Sequence, residues 1–540
     1  MDIVIKIFGG LGLFLYGMNL MGEGLQKSAG AKLKNIIELL TSNIVMGVIV
    51  GAIVTVLIQS SSATTVMVVG FVNAGIMSLT QAVGVIMGAN IGTTVTAQLV
   101  SLEVDLLAPI SLGVGIIIYM FSKKTKTRYL AEILIGFGIL FTGMDFMKEA
   151  VSPLREYKGF TDMLVSFGTN PLLGVLMGFS ITVLVQSSSA SMGILLALAS
   201  EGLIPIYVAL PILYGENIGT CVTSLLSSIG ASKNAKRAAI MHLIFNVLGT
   251  LIFMIFLSAP IVYVVTYLNP NDYARQIANA HTLFNILNVI LLLPFNKFIV
   301  DISLRIIPDG INDDDDDKII KFIDYRMIET PSIALLNTLK ETSRMSEKAM
   351  DSLKYSMEGL FEESTTKIEK SFKREKLVDE LQRNIINYLM KLSKSPINDD
   401  DTETVDALFN VVNDIERIGD HSENIAEIAK SMIENSFKFS DDANKELKVM
   451  YEKVLSTYSY SINSMKNSDI DLALKIIKME EQVDAIQRLS RKNHMIRLSE
   501  NICDIESGIL YLDIMVNLER ISDHSLNIVQ QVISKRIFVK

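Results

Sequence analysis

Cysteine is scarce in this chain of 540 residues, and its scarcity excludes two kinds of site. The two cysteines, Cys221 and Cys503, lie far apart in the sequence, so we expect neither a disulfide framework nor a cysteine zinc site. A basic stripe with interleaved aromatic residues is also missing, which argues against nucleic acid as a partner. The sequence has no nucleophile beside a matching base and no glycine-rich phosphate loop with lysine. We therefore expect a protein that is not an enzyme and does not use ATP.

Charge divides the chain into two unlike parts. Up to Arg305 there are 17 Lys and Arg against 14 Asp and Glu, whereas the remainder has 32 against 44. The first part is close to neutral and holds the long apolar segments, and the second part is acidic. We predict a membrane domain over residues 1–305, an acidic linker over 306–326 and a soluble helical domain over 327–540. The five aspartates 313–317 within the linker indicate a solvated spacer.

Seven apolar segments are long enough to cross a bilayer. Two further apolar stretches, 44–75 and 171–200, are interrupted by polar residues and are predicted to be hairpins of two short helices that enter and leave on one side. If the hairpins do not cross, the main basic clusters can all face the cytoplasm. This arrangement puts the N-terminus outside and the C-terminal domain inside, although Lys148, Arg155 and Lys158 do not fit it. The crossing segments are 7–26, 81–101, 105–121, 130–148, 204–228, 238–258 and 280–300.

The most informative motif is a polar string that occurs twice inside apolar sequence. Gln59-Ser60-Ser61-Ser62 returns as Gln186-Ser187-Ser188-Ser189, and Asn90-Ile91-Gly92-Thr93 returns as Asn217-Ile218-Gly219-Thr220. Both pairs share an offset of 127 residues. A duplication of this kind is typical of transporters built from inverted repeats around a central site. We predict a first repeat over about 7–121, a second over about 130–258 and an extra helix over about 280–300.

Consecutive polar side chains are costly at membrane depth unless they line a cavity or are buried in protein. A helix that breaks there exposes backbone N–H groups at the start of its second half, and these groups favour an anion. Serine hydroxyls add donors for a tetrahedral oxyanion and oxygen ligands for Na⁺. Close helix packing by small residues is the alternative explanation for single serines. The predicted substrate and sodium site comprises Gln59, Ser60, Ser61, Ser62, Thr64, Asn90, Thr93, Gln186, Ser187, Ser188, Ser189, Asn217 and Thr220.

A weaker repeat pairs a histidine with an asparagine four residues later. It occurs as His242 with Asn246 and as His281 with Asn285, and this spacing puts both side chains on one helix face. The two pairs form either a polar seam between two helices or a part of the machinery that binds or gates the ion.

The acidic part carries four Glu-x-x-x-Asp patterns in a helical context. The spacing places both carboxylates on one helix face, where they can chelate a hard cation. A solvated acidic face is the alternative. His421 and His524 follow two of the aspartates and would suit a transition metal. The predicted site for a divalent or transition metal, of open identity, comprises Glu375, Asp379, Glu416, Asp420, Glu480, Asp484, Glu519 and Asp523.

The paired polar strings and the His-x-x-Phe-Asn segments resemble the bacterial branch of the type II sodium-dependent phosphate cotransporters over about residues 1–305. The C-terminal half resembles PhoU, the regulator of the phosphate regulon, because Glu416-Arg417-Ile418-Gly419-Asp420-His421 is close to that family's signature. Its second copy has Ser522 where glycine is expected. PhoU-like proteins bind metals with these motifs.

These resemblances imply an all-α protein of two parts. The first is a polytopic membrane domain of inverted repeats with re-entrant helical hairpins, and the second is a soluble PhoU-like bundle of two three-helix repeats. They further imply uptake of inorganic phosphate, driven by Na⁺, across the inner (cytoplasmic) membrane of the cell. The PhoU-like domain would be cytoplasmic and regulatory and would have a partner in phosphate regulation. An oligomer is compatible with the sequence.

Two other functions stay open. Hydroxyls and helix ends do not by themselves choose among oxyanions, so a symporter of another small anion, such as sulfate or a carboxylate, is one alternative. The other is a membrane-anchored regulator of phosphate signalling whose transport activity is vestigial. Intact polar strings in both repeats argue against this last function.

Overall fold

The computed structural model divides the chain into two compact units, Met1–Asp313 and Asp314–Lys540. The division falls inside the predicted acidic linker 306–326. Helices are the only regular elements of the described residues, so the all-α prediction is confirmed. The predicted spacer 313–317 lies outside those residues, as does Lys158. The described residues are 2–29, 43–73, 75, 77–102, 104, 106–157, 159, 170–229, 231–308, 320–397 and 399–534.

The described helices of the first unit follow the duplicated sequence. A π-helical segment, Phe253–Leu257, joins α10 to α11, and a 3-10 turn, Leu293–Phe295, joins α12 to α13. The helices are α1 (Asp2–Ala29), α2 (Ile44–Ile58), α3 (Ser61–Asn73), α4 (Leu79–Val100), α5 (Leu107–Phe121), α6 (Thr125–Val151), α7 (Pro171–Val185), α8 (Ser188–Ser200), α9 (Ile206–Ser227), α10 (Lys233–Ile252), α11 (Ser258–Leu268), α12 (Tyr273–Leu292) and α13 (Asn296–Ile306).

The two predicted hairpins begin with equivalent asparagine caps. The Asn43 side chain accepts a hydrogen bond from the N–H of Met46 at 2.8 Å, and the Asn170 side chain accepts one from the N–H of Leu172 at 3.2 Å. Both bonds satisfy a backbone donor that the first turn of a helix leaves free. The asparagines are 127 residues apart, so the repeats begin their first half-helices in the same way.

Glycine lets the first half-helix of each hairpin approach the long helix that follows it. A Cβ atom on Gly88 of α4 would overlap the carbonyl oxygen of Val48 on α2. A Cβ atom on Gly215 of α9 would likewise overlap the carbonyl oxygen of Val175 on α7. Backbones that touch in this way admit no side chain at the crossing. The pairs α2–α4 and α7–α9 are therefore packed alike, as the duplication predicts.

The seven predicted crossing segments all lie largely in helices. Five of them coincide with helical stretches that are long and apolar enough to cross a bilayer, whereas 105–121 and 204–228 do not. They correspond to α5, which has only 15 residues, and to α9, which carries Glu216 and other polar residues. The side of the membrane that each loop faces stays a prediction. The described helical stretches long and apolar enough to cross a bilayer are Ile3–Ala29, Leu79–Val100, Thr125–Leu154, Lys233–Leu268 and Tyr273–Ile306.

The second unit is a bundle of two groups of three helices, as predicted. Each group packs its own helices together, and the groups meet where α16 packs on α19 and α14 packs on α17. Buried apolar residues at helical spacing explain this, for example Val405, Leu408, Val412 and Ile415 on α16. The helices are α14 (Pro331–Phe361), α15 (Thr365–Leu392), α16 (Asp399–Asn435), α17 (Asp441–Asn467), α18 (Ile470–Ser499) and α19 (Ile505–Ile533).

Replacing Gly88 by alanine should destabilise the first unit, because the new methyl group would meet backbone atoms that cannot move aside. Overpacking of this kind typically costs about 1–3 kcal/mol. We expect a lower thermal unfolding midpoint for the purified full chain in detergent. The matched control is Gly113→Ala on α5, where a Cβ atom would meet nothing within 4 Å. Equal midpoints for both variants would show that the α2–α4 crossing is looser than described.

Candidate functional site

Each polar string breaks its helix in the same way. Gln59 and Gln186, which directly follow α2 and α7, have left-handed backbones with φ of 58° and 57°. Their N–H groups donate to the carbonyls of Thr55 and Thr182 at 2.7 and 2.8 Å, which closes the last turn of each helix. A left-handed backbone is unfavourable for glutamine. Such strain is typical of functional sites and persists only where neighbouring contacts hold it.

The glutamine side chains provide those contacts. In the first repeat, Gln59 Nε2 donates to the carbonyl of Val56 at 2.6 Å, and its Oε1 accepts from Thr96 Oγ1 at 3.0 Å. Gln186 makes the equivalent contacts with Val183 and Thr223 at 2.7 and 3.3 Å. Both ends of each amide thus have partners inside the protein. The glutamines hold the breaks together, and their role as ligands stays a prediction.

The serines of each string have different places. Ser60 and Ser187 cap the second half-helices, because their Oγ atoms accept from backbone N–H groups three residues later at 3.1 and 3.2 Å. Ser61 and Ser188, one residue further on, line a cavity in common. Ser189 lines a second small cavity beside it. The middle serine of each string therefore lines the shared cavity, and its role as a ligand stays a prediction.

The shared cavity is built from both repeats. It has a volume of about 10 Å³, which is room for about one water molecule. None of the described residues that line it is a lysine or an arginine. It brings together six residues of the predicted site, three from each repeat. The lining residues are Ser61, Asn90 and Thr93 from the first repeat, Ser188, Met192, Glu216, Asn217 and Thr220 from the second, and His281 from α12.

The asparagines and threonines at this cavity are held by their own helices. Asn90 and Asn217 donate through Nδ2 to carbonyls four residues earlier, at 2.9 and 3.0 Å. Thr93 and Thr220 donate through Oγ1 in the same way, at 3.0 and 2.9 Å. Since these bonds use a donor hydrogen of each side chain, the oxygen lone pairs remain for a ligand. Oxygen lone pairs suit a cation better than an anion.

The other predicted residues do not line this cavity. Thr64 is buried between the two halves of its hairpin, where its Oγ1 donates to the carbonyl of Ser60 at 3.0 Å and accepts from Thr55 Oγ1 at 3.0 Å. It therefore joins the two half-helices rather than lining the site. The predicted residues outside the cavity lining are Gln59, Ser60, Ser62, Thr64, Gln186, Ser187 and Ser189.

Glu216 is a cavity residue that the sequence analysis did not include. It lies on α9, is 2% exposed, and accepts a hydrogen bond from Ser191 Oγ at 2.6 Å. Repetition could not reveal it, because the equivalent position of the first repeat is Ala89. The signal that could have found it is an acidic residue inside an otherwise uncharged transmembrane stretch.

The two histidine–asparagine pairs have different surroundings. His242 is buried on α10, and its Nδ1 lies 3.1 Å from Ser224 Oγ on α9. This pair fits the polar seam. His281 lines the shared cavity, and its Nδ1 is buried with no hydrogen-bond partner among the described residues. Of the second pair, His281 but not Asn285 therefore lies where the alternative, a part in the site itself, requires.

In the second unit, carboxylates of the first three-helix group gather between α15 and α16. One oxygen from each of Glu375, Asp379 and Asp420 lies within 4.8 Å of the others, which is close enough to share one cation. Among the described residues this is the one acidic group that meets this distance. The donor set consists of carboxylate oxygens, which fit a hard divalent cation. Metal binding by all eight predicted residues stays a prediction.

Burial and mutual repulsion perturb these carboxylates. Burial raises the pKa of Glu375 to about 8, and the charges of Glu423, Asp379 and Asp420 contribute to the rise. Burial also raises the pKa of Glu416, where Asp420 adds to the effect. A bound cation would relieve this repulsion, whereas without one the raised pKa favours the protonated form of Glu375.

The second three-helix group also places its four predicted carboxylates on two helices, α18 and α19, although among these described residues no three oxygens meet the same distance. Burial raises the pKa of Glu480, and the neighbouring charges of Asp484, Asp523 and Glu519 raise it further. Burial likewise raises the pKa of Glu519 and of Asp523. All four predicted carboxylates of this group are therefore close enough to interact.

The histidines join the two groups of the bundle. His421 and His524 stack with ring centroids 5.6 Å apart. His421 Nδ1 lies 2.9 Å from Asn517 Oδ1, and His524 Nδ1 lies 2.8 Å from Asp414 Oδ1. Each histidine thus bonds to the opposite group through the nitrogen nearest its backbone. Only the Nε2 atoms would be left for a transition metal.

The chain matches two known families. The boundary between the two matches lies between residues 286 and 342, and the division between the two compact units also falls within this range. The Na⁺/Pi-cotransporter family matches residues 13–149 and 155–286. The PhoU domain matches residues 342–429 and 447–532. Each match has two parts, in agreement with the two duplications.

Individual proteins are similar over longer or shorter ranges. The putative inorganic phosphate export protein YjbB of Escherichia coli K12 is 25% identical over 527 residues, which cover 96% of this chain and 95% of YjbB. The uncharacterized protein YqeW of Bacillus subtilis is 31% identical over 295 residues, which cover 55% of this chain and 95% of YqeW. The crystal structure of PhoU from Pseudomonas aeruginosa aligns with a TM-score of 0.36 and 20% identity, over 37% of this chain and 97% of PhoU.

Removing divalent cations should destabilise the second unit, and more so at higher pH. The folded pKa of Glu375, about 8, exceeds its ordinary value of 4.5. Protonation therefore stabilises the metal-free fold at low pH, and this contribution is lost as pH rises through about 8. A cation at a hundred times its Kd adds about 2.7 kcal/mol. Segment 320–540 should thus melt at a higher temperature with metal than with chelator. This difference in melting temperature should increase from pH 5 to pH 8.

Carboxylate variants check this result by calorimetry. Asp420→Ala and Asp523→Ala should each reduce the difference between the melting temperature with metal and the melting temperature with chelator. Glu452→Ala, which removes an exposed carboxylate from α17, serves as the matched control and should leave it unchanged. Superimposable melts of the unaltered segment with metal and with chelator would mean that these carboxylates are ordinary surface charge.

Proposed function

This chain belongs to the Na⁺/Pi-cotransporter family and carries a PhoU domain, and we propose that it is a symporter that moves inorganic phosphate together with Na⁺. The observation that carries this proposal is the cavity lined by Ser61 and Ser188. It unites the two duplicated strings, from parts of the chain 127 residues apart, in one place. Two half-helices, α3 and α8, begin beside it, so their N-terminal dipoles favour an anion there.

The charge of the cavity supports coupling to a cation. Phosphate carries one or two negative charges, and within the described part of the chain no lysine or arginine lines the space that would receive it. Moving an unpaired anion into such a space is unfavourable. Na⁺ bound by the free lone pairs of Asn90, Thr93, Asn217 and Thr220 would offset that charge. Phosphate and sodium would then enter as a nearly neutral group.

The cavity must also enlarge during transport. A volume of about 10 Å³ is too small for phosphate, which is larger than the single water that fits such a space. The described arrangement therefore corresponds to a closed site. Opening toward one side and then toward the other would give alternating access around fixed ligands.

Import is the direction that we propose, and export is a second candidate. Export is favoured by the similarity to YjbB, whose name describes a putative phosphate export protein. One site can serve both directions, because the combined gradients of phosphate and Na⁺ decide which way a coupled transporter runs. The direction therefore depends on the ion that is coupled and on its stoichiometry.

We place the second unit in the cytoplasm as a metal-binding regulatory domain. The support is its match to the PhoU domain and the three carboxylates Glu375, Asp379 and Asp420 that converge on one point. Its partner would be a component of phosphate regulation. A symporter of another anion and a regulator without transport are the functions against which the proposal is tested.

Transport of labelled phosphate in proteoliposomes tests the proposed function. We expect phosphate to accumulate along an imposed Na⁺ gradient, inward or outward, and not along a K⁺ gradient. Excess unlabelled phosphate should compete, whereas excess sulfate should not. Equal transport with K⁺ would exclude sodium coupling, and equal competition by sulfate would favour the other-anion alternative.

Ser61→Ala and Ser188→Ala should each lower the apparent affinity of transport for phosphate. Each substitution removes a hydroxyl from a closed cavity, which costs roughly 1–3 kcal/mol, or about tenfold to a hundredfold in affinity. The measurement is the phosphate concentration for half-maximal Na⁺-driven uptake. Ser200→Ala is the matched control, because Ser200 lies on α8 outside the cavity and bonds to the carbonyl of Leu196. Unchanged values in both cavity variants would show that the site lies elsewhere.

A further inference from the structure

One buried carboxylate at the shared cavity has an oxygen without a partner. Glu216 is 2% exposed. Its Oε1 accepts from Ser191 Oγ at 2.6 Å, whereas its Oε2 is buried with no hydrogen-bond partner among the described residues. An ionised carboxylate at membrane depth is strongly unfavourable unless a positive charge accompanies it. The free oxygen therefore indicates a place for a cation.

The carboxylate changes the contacts of only one repeat. In the first repeat, where Ala89 takes its position, Thr55 Oγ1 donates to Thr64 Oγ1 at 3.0 Å. The counterparts of these two residues in the second repeat are Thr182 and Ser191. Ser191 donates to the carboxylate instead, and Thr182 Oγ1 is left buried with no partner among the described residues. Around Ser191, the second repeat thus has two buried oxygens without a partner among the described residues, Glu216 Oε2 and Thr182 Oγ1.

These two oxygens belong to side chains at one helix crossing. Glu216 lies on α9 and Thr182 lies on α7. A Cβ atom on Gly178 would lie 3.0 Å from the backbone nitrogen of Glu216, and a Cβ atom on Gly219 would lie 2.8 Å from Cβ of Thr182. The backbone of Glu216 therefore lies against α7 at Gly178, and the side chain of Thr182 lies against α9 at Gly219. Ser191, on α8, completes the group through its bond to the carboxylate.

We propose that Glu216 anchors a Na⁺ site in the second repeat, with the hydroxyls of Ser191 and Thr182 as neutral ligands. Carboxylate and hydroxyl oxygens are suitable ligands for a hard cation. This inference rests on the proposed phosphate–sodium symport and deepens it. The first repeat, which has alanine at the equivalent position, has no counterpart of this site.

The order of binding follows from the charges. Without Na⁺, the carboxylate and an entering phosphate would be two negative groups near each other, in a cavity whose described lining contains neither lysine nor arginine. Like charges repel strongly where water is excluded. Na⁺ at Glu216 therefore binds before phosphate. In Glu216→Gln the neutral amide removes both the repulsion and the need for this ion.

Binding of radioactive Na⁺ to the purified full chain, without phosphate, tests the site directly. We expect saturable binding by the unaltered protein and binding weaker by about tenfold or more in Glu216→Gln. Glu149→Gln is the matched control, because Glu149 is an exposed carboxylate on α6 outside the cavity. It should bind Na⁺ like the unaltered protein. In proteoliposomes, the Na⁺ dependence of phosphate transport should become less steep in Glu216→Gln only.

The outcomes separate this inference from the proposed function. If phosphate transport by the unaltered protein does not depend on Na⁺, the proposed symport itself is excluded. Sodium-dependent transport together with unchanged Na⁺ binding in Glu216→Gln would overturn the inference alone. A variant with unchanged Na⁺ binding but altered pH dependence would show that the carboxyl group carries a proton, which also overturns it.

Two further variants keep the test decisive if Glu216→Gln does not fold. Ser191→Ala and Thr182→Val each remove one proposed hydroxyl ligand and leave the carboxylate in place. Both should weaken Na⁺ binding, while Ser200→Ala on α8 should not. Unchanged Na⁺ binding in both ligand variants would overturn the proposed site.

Discussion

Closing a broken helix inside a membrane is the constraint on which the first unit depends. Water cannot satisfy the backbone groups that a break exposes at that depth, so the protein has to do so. One glutamine side chain at each break serves this purpose, because it bonds to its own helix at Val56 or Val183 and to the next long helix at Thr96 or Thr223. The site is held together by the same contacts that close the break.

The duplicated residues and the unduplicated carboxylate of Glu216 have different consequences for the site. The repeated side chains create similar surroundings on both sides of the cavity, which suits a tetrahedral anion bound between two half-helices. Glu216 has no acidic counterpart in the first repeat, where Ala89 takes its position, and therefore makes the two sides of the cavity chemically unequal. In the proposed symporter, both repeats would contribute to binding the anion, and the second repeat alone would add the cation site at Glu216. The PhoU-like bundle is duplicated too, but there the histidines of both halves have almost equivalent partners, Asn517 and Asp414.

Much of this could be predicted from the sequence, and what could not has identifiable physical causes. Equal spacing predicted the two breaks and the meeting of Ser61, Asn90, Thr93 and their counterparts, since duplicated chains fold alike. A repeated motif gives no information about a residue that occurs in only one repeat, so Glu216 was not predicted as a site residue. Repetition also does not separate a capping serine from a lining serine. Local capping geometry decides that Ser60 bonds to its own helix while Ser61 faces the cavity.

The glycine crossings have a consequence for how the first unit can move. At Gly88 and Gly215 the backbones of two helices touch, so neither helix can slide along or rotate about the other without a collision. Each first half-helix and its long partner therefore behave as one rigid body, and the cavity lies where the two rigid bodies face each other. We therefore expect the cavity to change its volume through relative movement of these two bodies rather than through bending of either one.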